Sequence, residues 1–215
     1  MSDPLPIDRL TRRDEPTAVA TLAAAFASYP LLTALSPDPA RRPRIAEALC
    51  RYVFRVSVRC GEVFATPDRA AVACAWPPGR EWPSLWASLR NGAGAVLCHL
   101  GWRAGWRLSR IERDLDIARA SHMTEPHWYV SMLGVRPESQ GTGLSRVALR
   151  PVFEAADRTA APIYLETMAE VNVTIYQKLG FALRGYRELT GGLPNWEMVR
   201  EPQGNQSPVA SIAAV

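Results

Sequence analysis

The sequence predicts an α/β fold with a mixed sheet, and three observations carry that reading. An apolar run from Trp128 to Val135 stops at Pro137. It is followed by Gln140-Gly141-Thr142-Gly143 and an amphipathic stretch to about residue 158, the pattern of strand, turn and helix. A second apolar run, 163–167, comes directly after, so strand, helix and strand imply a parallel pair joined by a right-handed crossover. Finally, strands at 181–189 and 195–200 flank Gly191-Gly192, a turn suited to antiparallel neighbours.

Upstream of these, Leu5–Arg9 reads as a short strand, and Thr11 to Asp14 leads into a helix from Glu15 to Ser28 that ends at Tyr29-Pro30. A Pro-rich turn, Ser36–Pro39, precedes a longer helix to Arg59, with Ile45, Leu49, Tyr52, Val53 and Val56 as its apolar stripe. Gly61–Thr66 and Ala70–Trp76 form a hairpin around Pro67-Asp68. Residues 81–120 differ: Trp82, Trp86, Trp102 and Trp106 lie in helical spacing, predicting two or three helices broken near Asn91–Gly94 that pack over the sheet. A helix at about 172–179 separates strand 163–167 from the closing strands. Pro151 interrupts helix 141–158, so a kink near Ala148–Arg150 is expected.

With 215 residues, 47% of them hydrophobic, the chain is expected to form one domain over 1–201, with 202–215 a disordered tail. No apolar run is long enough for a signal peptide or a membrane span, so no membrane partner and a cytoplasmic location are expected. Cys50, Cys60, Cys74 and Cys98 have no metal-like spacing and read as buried free thiols, so no metal is expected. The net charge is +4, and all 25 basic residues except Lys178 are arginines, scattered rather than bunched, which disfavours nucleic acid.

The turn at 140–145 carries the chemistry. A helix N-terminus directs unpaired N–H groups at open space, at the positive end of the helix dipole, and so suits a phosphate. The third glycine of a dinucleotide fingerprint is missing, with Arg146 in its place, and no Gly-Lys-Ser/Thr follows.

Val135-x-Pro137-x-x-Gln140-Gly141-x-Gly143-Leu144 is followed by Leu165-Glu166-Thr167, Asn172-x-x-x-Tyr176 and Leu179-Gly180-Phe181. In order and spacing this set resembles the GCN5-related N-acetyltransferases (GNAT). Thr21 to Phe26 with Tyr29-Pro30, together with Gly134-Val135, resembles the puromycin N-acetyltransferase-like branch. Between about 80 and 120 only length and helical character are shared.

The resemblance implies a mostly antiparallel sheet with one parallel pair at the cofactor site, helices on both faces, and acetyl-CoA as the acetyl donor. The backbone of Gly141, Thr142, Gly143, Leu144, Ser145 and Arg146, with Gln140, would cradle the pyrophosphate. Leu133, Gly134 and Val135 would run beside the pantetheine arm, and an N–H at Leu133 or Val135 would face the developing oxyanion. Tyr176 falls at the family's general-acid position, and Asn172 would bond the pantetheine or set Tyr176. Glu166, near a strand end, is the candidate base, against a plain salt bridge or loop contact; His127 ranks below it. Tyr29, Phe26, Trp82 and Trp86 are the candidate acceptor-site residues, the tryptophans either as an aromatic wall or as core of the covering helices. The implied acceptor is a primary amine of a small molecule, aminonucleosides included; a peptide acetyltransferase and a non-catalytic acyl-CoA sensor are the alternatives. A homodimer is common in the superfamily.

Overall fold

The computed structural model describes residues 5–80 and 83–203. Seven strands form one sheet: β1 (Asp8–Arg9), β2 (Glu62–Ala65), β3 (Ala71–Trp76), β4 (Trp128–Val135), β5 (Ile163–Thr167), β6 (Ala182–Leu189) and β7 (Leu193–Arg200). Their order is β1-β2-β3-β4-β5-β7-β6, and every pairing is antiparallel except β4 with β5. The helices are α1 (Glu15–Phe26), α2 (Pro30–Leu35), α3 (Arg42–Cys60), α4 (Leu85–Arg90), α5 (Ala93–His122), α6 (Leu144–Thr159) and α7 (Glu170–Lys178). Helix α2 is not among the expected elements, because six residues, less than two turns, give too short a period to read.

Strand alternation assigns the two faces. Ala71, Ala73 and Ala75 of β3, Ile163 and Leu165 of β5, and Met198 of β7 pack against Leu149, Val152 and Phe153 of α6 and Tyr176 of α7. The opposite faces of β2 and β3, through Val63, Val72 and Cys74, meet Val19 and Leu22 of α1 and Phe54 of α3. Small residues on β3 let α6 approach closely. Gly134 serves the same end on β4, since a Cβ there would lie 3.0 Å from Leu22 Cδ2 and 3.1 Å from Ala25 Cβ. It is a packing glycine beneath α1.

Helix α6 runs unbroken through Pro151. The covering unit divides at Asn91-Gly92, as the sequence suggests, and again at Gly101, whose φ of 75° interrupts α5. The second half of α5 lies over the sheet and is tied to it by charge. Asp114 accepts from the backbone N–H and hydroxyl of Thr190, 2.7 Å each, and His122 Nε2 lies 2.6 Å from Glu197 Oε2. Glu197, buried on β7, also pairs with Arg187. Cys50 and Cys74 are buried as expected; Cys98 is exposed, which corrects that reading, and all four cysteines are free. Trp82 and residues 204–215 of the expected tail lie outside the described residues.

Candidate active site

The site exists because two parallel strands part. β4 and β5 pair only at Trp128–Ile163 and Tyr129–Tyr164. Beyond that point β5 continues on β7 and β4 on β3, leaving the β4 edge from Val130 to Val135 open. A bulge contributes: Met132 faces Cys74 while Val130 faces Ala75, so Ser131 is the extra residue and β4 bends away. A cavity of about 760 Å³ fills the split and extends from the loop at 139–146 to α5.

At one end stands the loop. Gly141 and Gly143 have φ of 78° and 84°, and a Cβ at either would meet nothing within 4 Å. Conformation and not crowding demands glycine here. The N–H groups of Gly141 through Ser145 have no protein acceptor among the described residues, whereas the Arg146 N–H donates to Gly143 O at 3.0 Å. The Arg146 amide is thus already paired, while the residue still lines the cavity and its guanidinium donates to Lys178 O at 2.6 Å. Gln140 Nε2 donates to Val135 O and Thr142 Oγ1 to Ser139 O, which fixes the loop from within. Leu133, Val135, Gln140, Gly141, Gly143 and Leu144 line the cavity, with Ser145 and Asn172; Gly134 and Thr142 do not. These free amides at the N-terminus of α6, beside an unpaired strand edge, fit a pyrophosphate and an extended amide-bearing arm. Replacing Gly143 with valine should weaken acetyl-CoA binding by about tenfold or more, because a β-branched residue resists positive φ and would pull the amides out of register. Calorimetric titration checks this, with a retained thermal transition as the folding control.

At the centre, Tyr176 and Glu166 approach from opposite faces of the sheet. Tyr176 is buried with its ring edge-on to Phe181, centroids 5.8 Å apart, and lines the cavity. Burial, with the nearby Tyr29 and Glu166, pushes its phenol above the ordinary value, so it stays protonated. Glu166 Oε1 accepts from the Tyr129 hydroxyl at 2.6 Å, while Oε2 is buried near the Tyr164 hydroxyl. Burial pushes this carboxyl up to about 7, against the lowering pull of the Tyr129 hydrogen bond and of Arg119. Arg119 lies over the Tyr129 ring at 4.6 Å and pairs with Asp116 at 2.6 Å.

The side chains of Tyr29 and Asn172 meet at Thr167. The Tyr29 hydroxyl accepts from the Met168 N–H at 2.8 Å and lies 3.3 Å from Thr167 Oγ1, and Asn172 Nδ2 donates to that same oxygen at 3.0 Å. Together they pin the end of β5 to the start of α7, which positions Glu166 and Tyr176 relative to each other. Both still line the cavity, as does Phe26, whose ring meets Tyr29 edge-on at 4.9 Å. His127 lies outside it, bonded to Glu125 O at 2.8 Å. Trp86 also lies outside and is 76% exposed, so neither the aromatic wall nor the core reading holds for it. The end of the cavity beneath α5 is lined instead by Leu108, Ile111, Glu112, Leu115, Asp116 and Arg119. The sequence does hold a signal for these: spacings of three and four put them on one helical face. Among the described residues no group of three or more His, Cys, Asp or Glu can hold a metal.

This fold and this split define a class. Residues 62–181 match the acetyltransferase (GNAT) family, and the chain belongs to it. It is an acetyl-CoA-dependent acyltransferase. An uncharacterized N-acetyltransferase of Schizosaccharomyces pombe is 26% identical over 91% of this chain and 83% of its own length. The mycothiol acetyltransferase of Thermobifida fusca is 27% identical over 74% of this chain but 51% of its own. Among solved structures, an acetyltransferase of Corynebacterium glutamicum described as histone acetyltransferase HPA2 and related acetyltransferase superposes with a TM-score of 0.66 at 21% identity, covering 93% of this chain and 97% of that one. A polyamine N-acetyltransferase of Drosophila melanogaster that forms N-acetylagmatine has a TM-score of 0.58 at 14% identity, covering 91% and 99%.

Proposed function

We propose that the protein transfers the acetyl group of acetyl-CoA to a primary amine of a small molecule, by direct attack within a ternary complex. The observation that carries this is Glu166. Its carboxyl has one oxygen fixed by Tyr129 and the other beside the Tyr164 hydroxyl, and it lines, together with Tyr176, the cavity that runs to the free amides of the loop at 139–146. Acetyl-CoA, when bound, supplies the activated thioester. Glu166 takes the proton of the incoming ammonium, and its value near 7 suits that exchange at neutral pH. Tyr176 donates a proton to the departing thiolate. An N–H on the open edge of β4, at Leu133 or Val135, faces the carbonyl oxygen. Direct attack is favoured because Cys50, the one cysteine lining the cavity among the described residues, has its thiol pushed far up by burial and is a poor nucleophile.

The small-molecule reading rests on the enclosure of the acceptor end by α5, with Phe26 and Leu108 as apolar wall and Glu112 and Asp116 at the rim. Asp116 is paired with Arg119, so Glu112 is the carboxylate there that would favour a cationic acceptor, in line with the amines named for the Drosophila relative. Aminonucleosides belong in the comparison because of the puromycin-type features at Thr21–Phe26 and Tyr29-Pro30. Thiol release from acetyl-CoA against aminonucleosides, polyamines and peptides tests the proposal. Acceptor-dependent release is expected with a small amine; release only with peptides would replace the acceptor class, and none with any acceptor would leave an acyl-CoA sensor.

A further inference from the structure

The two faces of α5 have different fates. Leu108, Ile111, Leu115 and Arg119 line the cavity. On the opposite side of the helix, Trp102, Trp106, Arg110, Arg113 and Ile117 recur at steps of three and four and open to solvent. Trp102 is 79% exposed, Trp106 60% and, on α4, Leu85 73% and Trp86 76%. Soluble surfaces rarely gather this much aromatic and aliphatic area without a partner.

The exposed groups are linked through the packing of α4 and the two halves of α5. A Cβ at Gly94 would lie 4.0 Å from Leu89 Cδ2, and one at Gly105, between the two tryptophans, would lie 2.9 Å from Leu97 Cδ2. Leu89 and Leu97 are themselves exposed, so aliphatic side chains run from α4 towards Trp102 and Trp106. The charge on this unit is mainly positive: from residue 83 to 122 there are six arginines, Arg90, Arg103, Arg107, Arg110, Arg113 and Arg119, against three carboxylates, Glu112, Asp114 and Asp116, all beyond residue 111. Arg103 lies over the Trp102 ring at 5.6 Å and Arg110 over the Trp106 ring at 4.9 Å.

We propose that the α4–α5 hairpin is a peripheral docking surface for an anionic lipid bilayer, with Trp86, Trp102 and Trp106 at the headgroup level and the arginines on lipid phosphates. Tryptophan prefers this depth, and arginine can keep its charge at the phosphates while its stem lies in the apolar boundary. Lipid accounts for both halves of the strip, since acyl chains receive Leu85, Leu89 and Leu97 while anionic headgroups receive the arginines. A nucleic acid would satisfy the arginines and stack on tryptophan but offers the leucines no apolar partner. No helix among the described residues is long and apolar enough to cross a membrane, and surface docking requires none.

Co-sedimentation of the full chain with vesicles tests this. Binding is expected to vesicles of phosphatidylcholine with phosphatidylglycerol, about tenfold or more tighter than to phosphatidylcholine alone, and to weaken with added salt. The double variant Trp102→Ser/Trp106→Ser should lose sedimentation with either vesicle while keeping acetyl transfer, because neither residue lines the cavity. Arg103→Gln/Arg110→Gln, a milder change to the fold, should abolish the preference for anionic vesicles. Failure to sediment with either vesicle would overturn the proposal, as would equal binding to both. Self-association abolished by the tryptophan variant would overturn it in favour of an interface between copies.

Discussion

Replacing Glu166 with glutamine is expected to lower kcat/KM by about a hundredfold or more, the range over which a positioned general base contributes. In the native enzyme the rate should fall as pH drops through about 7, because the carboxyl pushed up to about 7 becomes protonated and can no longer accept the ammonium proton. A glutamine variant loses that acidic limb along with most of the rate. Stability moves the other way. An acid raised in the fold favours its neutral form there, so its contribution is intact below the unfolded value near 4.5 and is lost as pH rises through about 7. Above that pH the native enzyme carries a penalty on the order of 3 kcal/mol, which glutamine lacks while still accepting the Tyr129 hydrogen bond. Thermal denaturation at pH 8 should therefore show Glu166→Gln melting higher by on the order of 5–10 °C, with the difference vanishing near pH 4. A variant with full activity would remove Glu166 as the base. Equal melting at both pH values would deny that it is held as a strained carboxylate.

The parts of this site legible in the sequence are those with local signals. Gly141 and Gly143 announce a turn with positive φ and the apolar run ahead of them supplies the strand, but it is Gln140 and the later motifs, through the family resemblance, that make the turn an anion site. Glu166 is legible by alternation, because Leu165 and Thr167 are the buried neighbours that send it to the other face. Tyr129 and Arg119 are not. Tyr129 reaches Glu166 across 37 positions in the chain, and Arg119 reaches both only because α5 returns over the sheet. The tryptophans mislead for a physical reason: size and hydrophobicity predict burial, but two breaks, at Asn91-Gly92 and at Gly101, turn Trp102 and Trp106 away from the sheet. Tyr29 and Asn172 do line the cavity, yet their hydroxyl and amide are used to fix the end of β5. That distinction depends on hydrogen-bond partners that no spacing reveals.

Replacing Tyr176 with phenylalanine is expected to lower kcat by about a hundredfold while leaving acetyl-CoA affinity nearly unchanged. The ring packs edge-on to Phe181 and within the core shared with α6, and phenylalanine keeps those contacts. Only the hydroxyl is lost, and burial with the charges of Tyr29 and Glu166, not a hydrogen bond, is what acts on it. The loss should hold across the working pH range, because the phenol is pushed above its ordinary value and stays protonated throughout. This separates it from Glu166→Gln, whose effect is greatest where the native carboxyl is ionised. Steady-state rates across pH, with calorimetric titration of acetyl-CoA, distinguish the two. Unchanged turnover in Tyr176→Phe would show that the thiolate leaves without a proton from this side chain, and a loss confined to acetyl-CoA affinity would make Tyr176 a binding residue. A lowered kcat at constant affinity is the pattern that the proposed role of Tyr176, proton donor to the departing thiolate, requires.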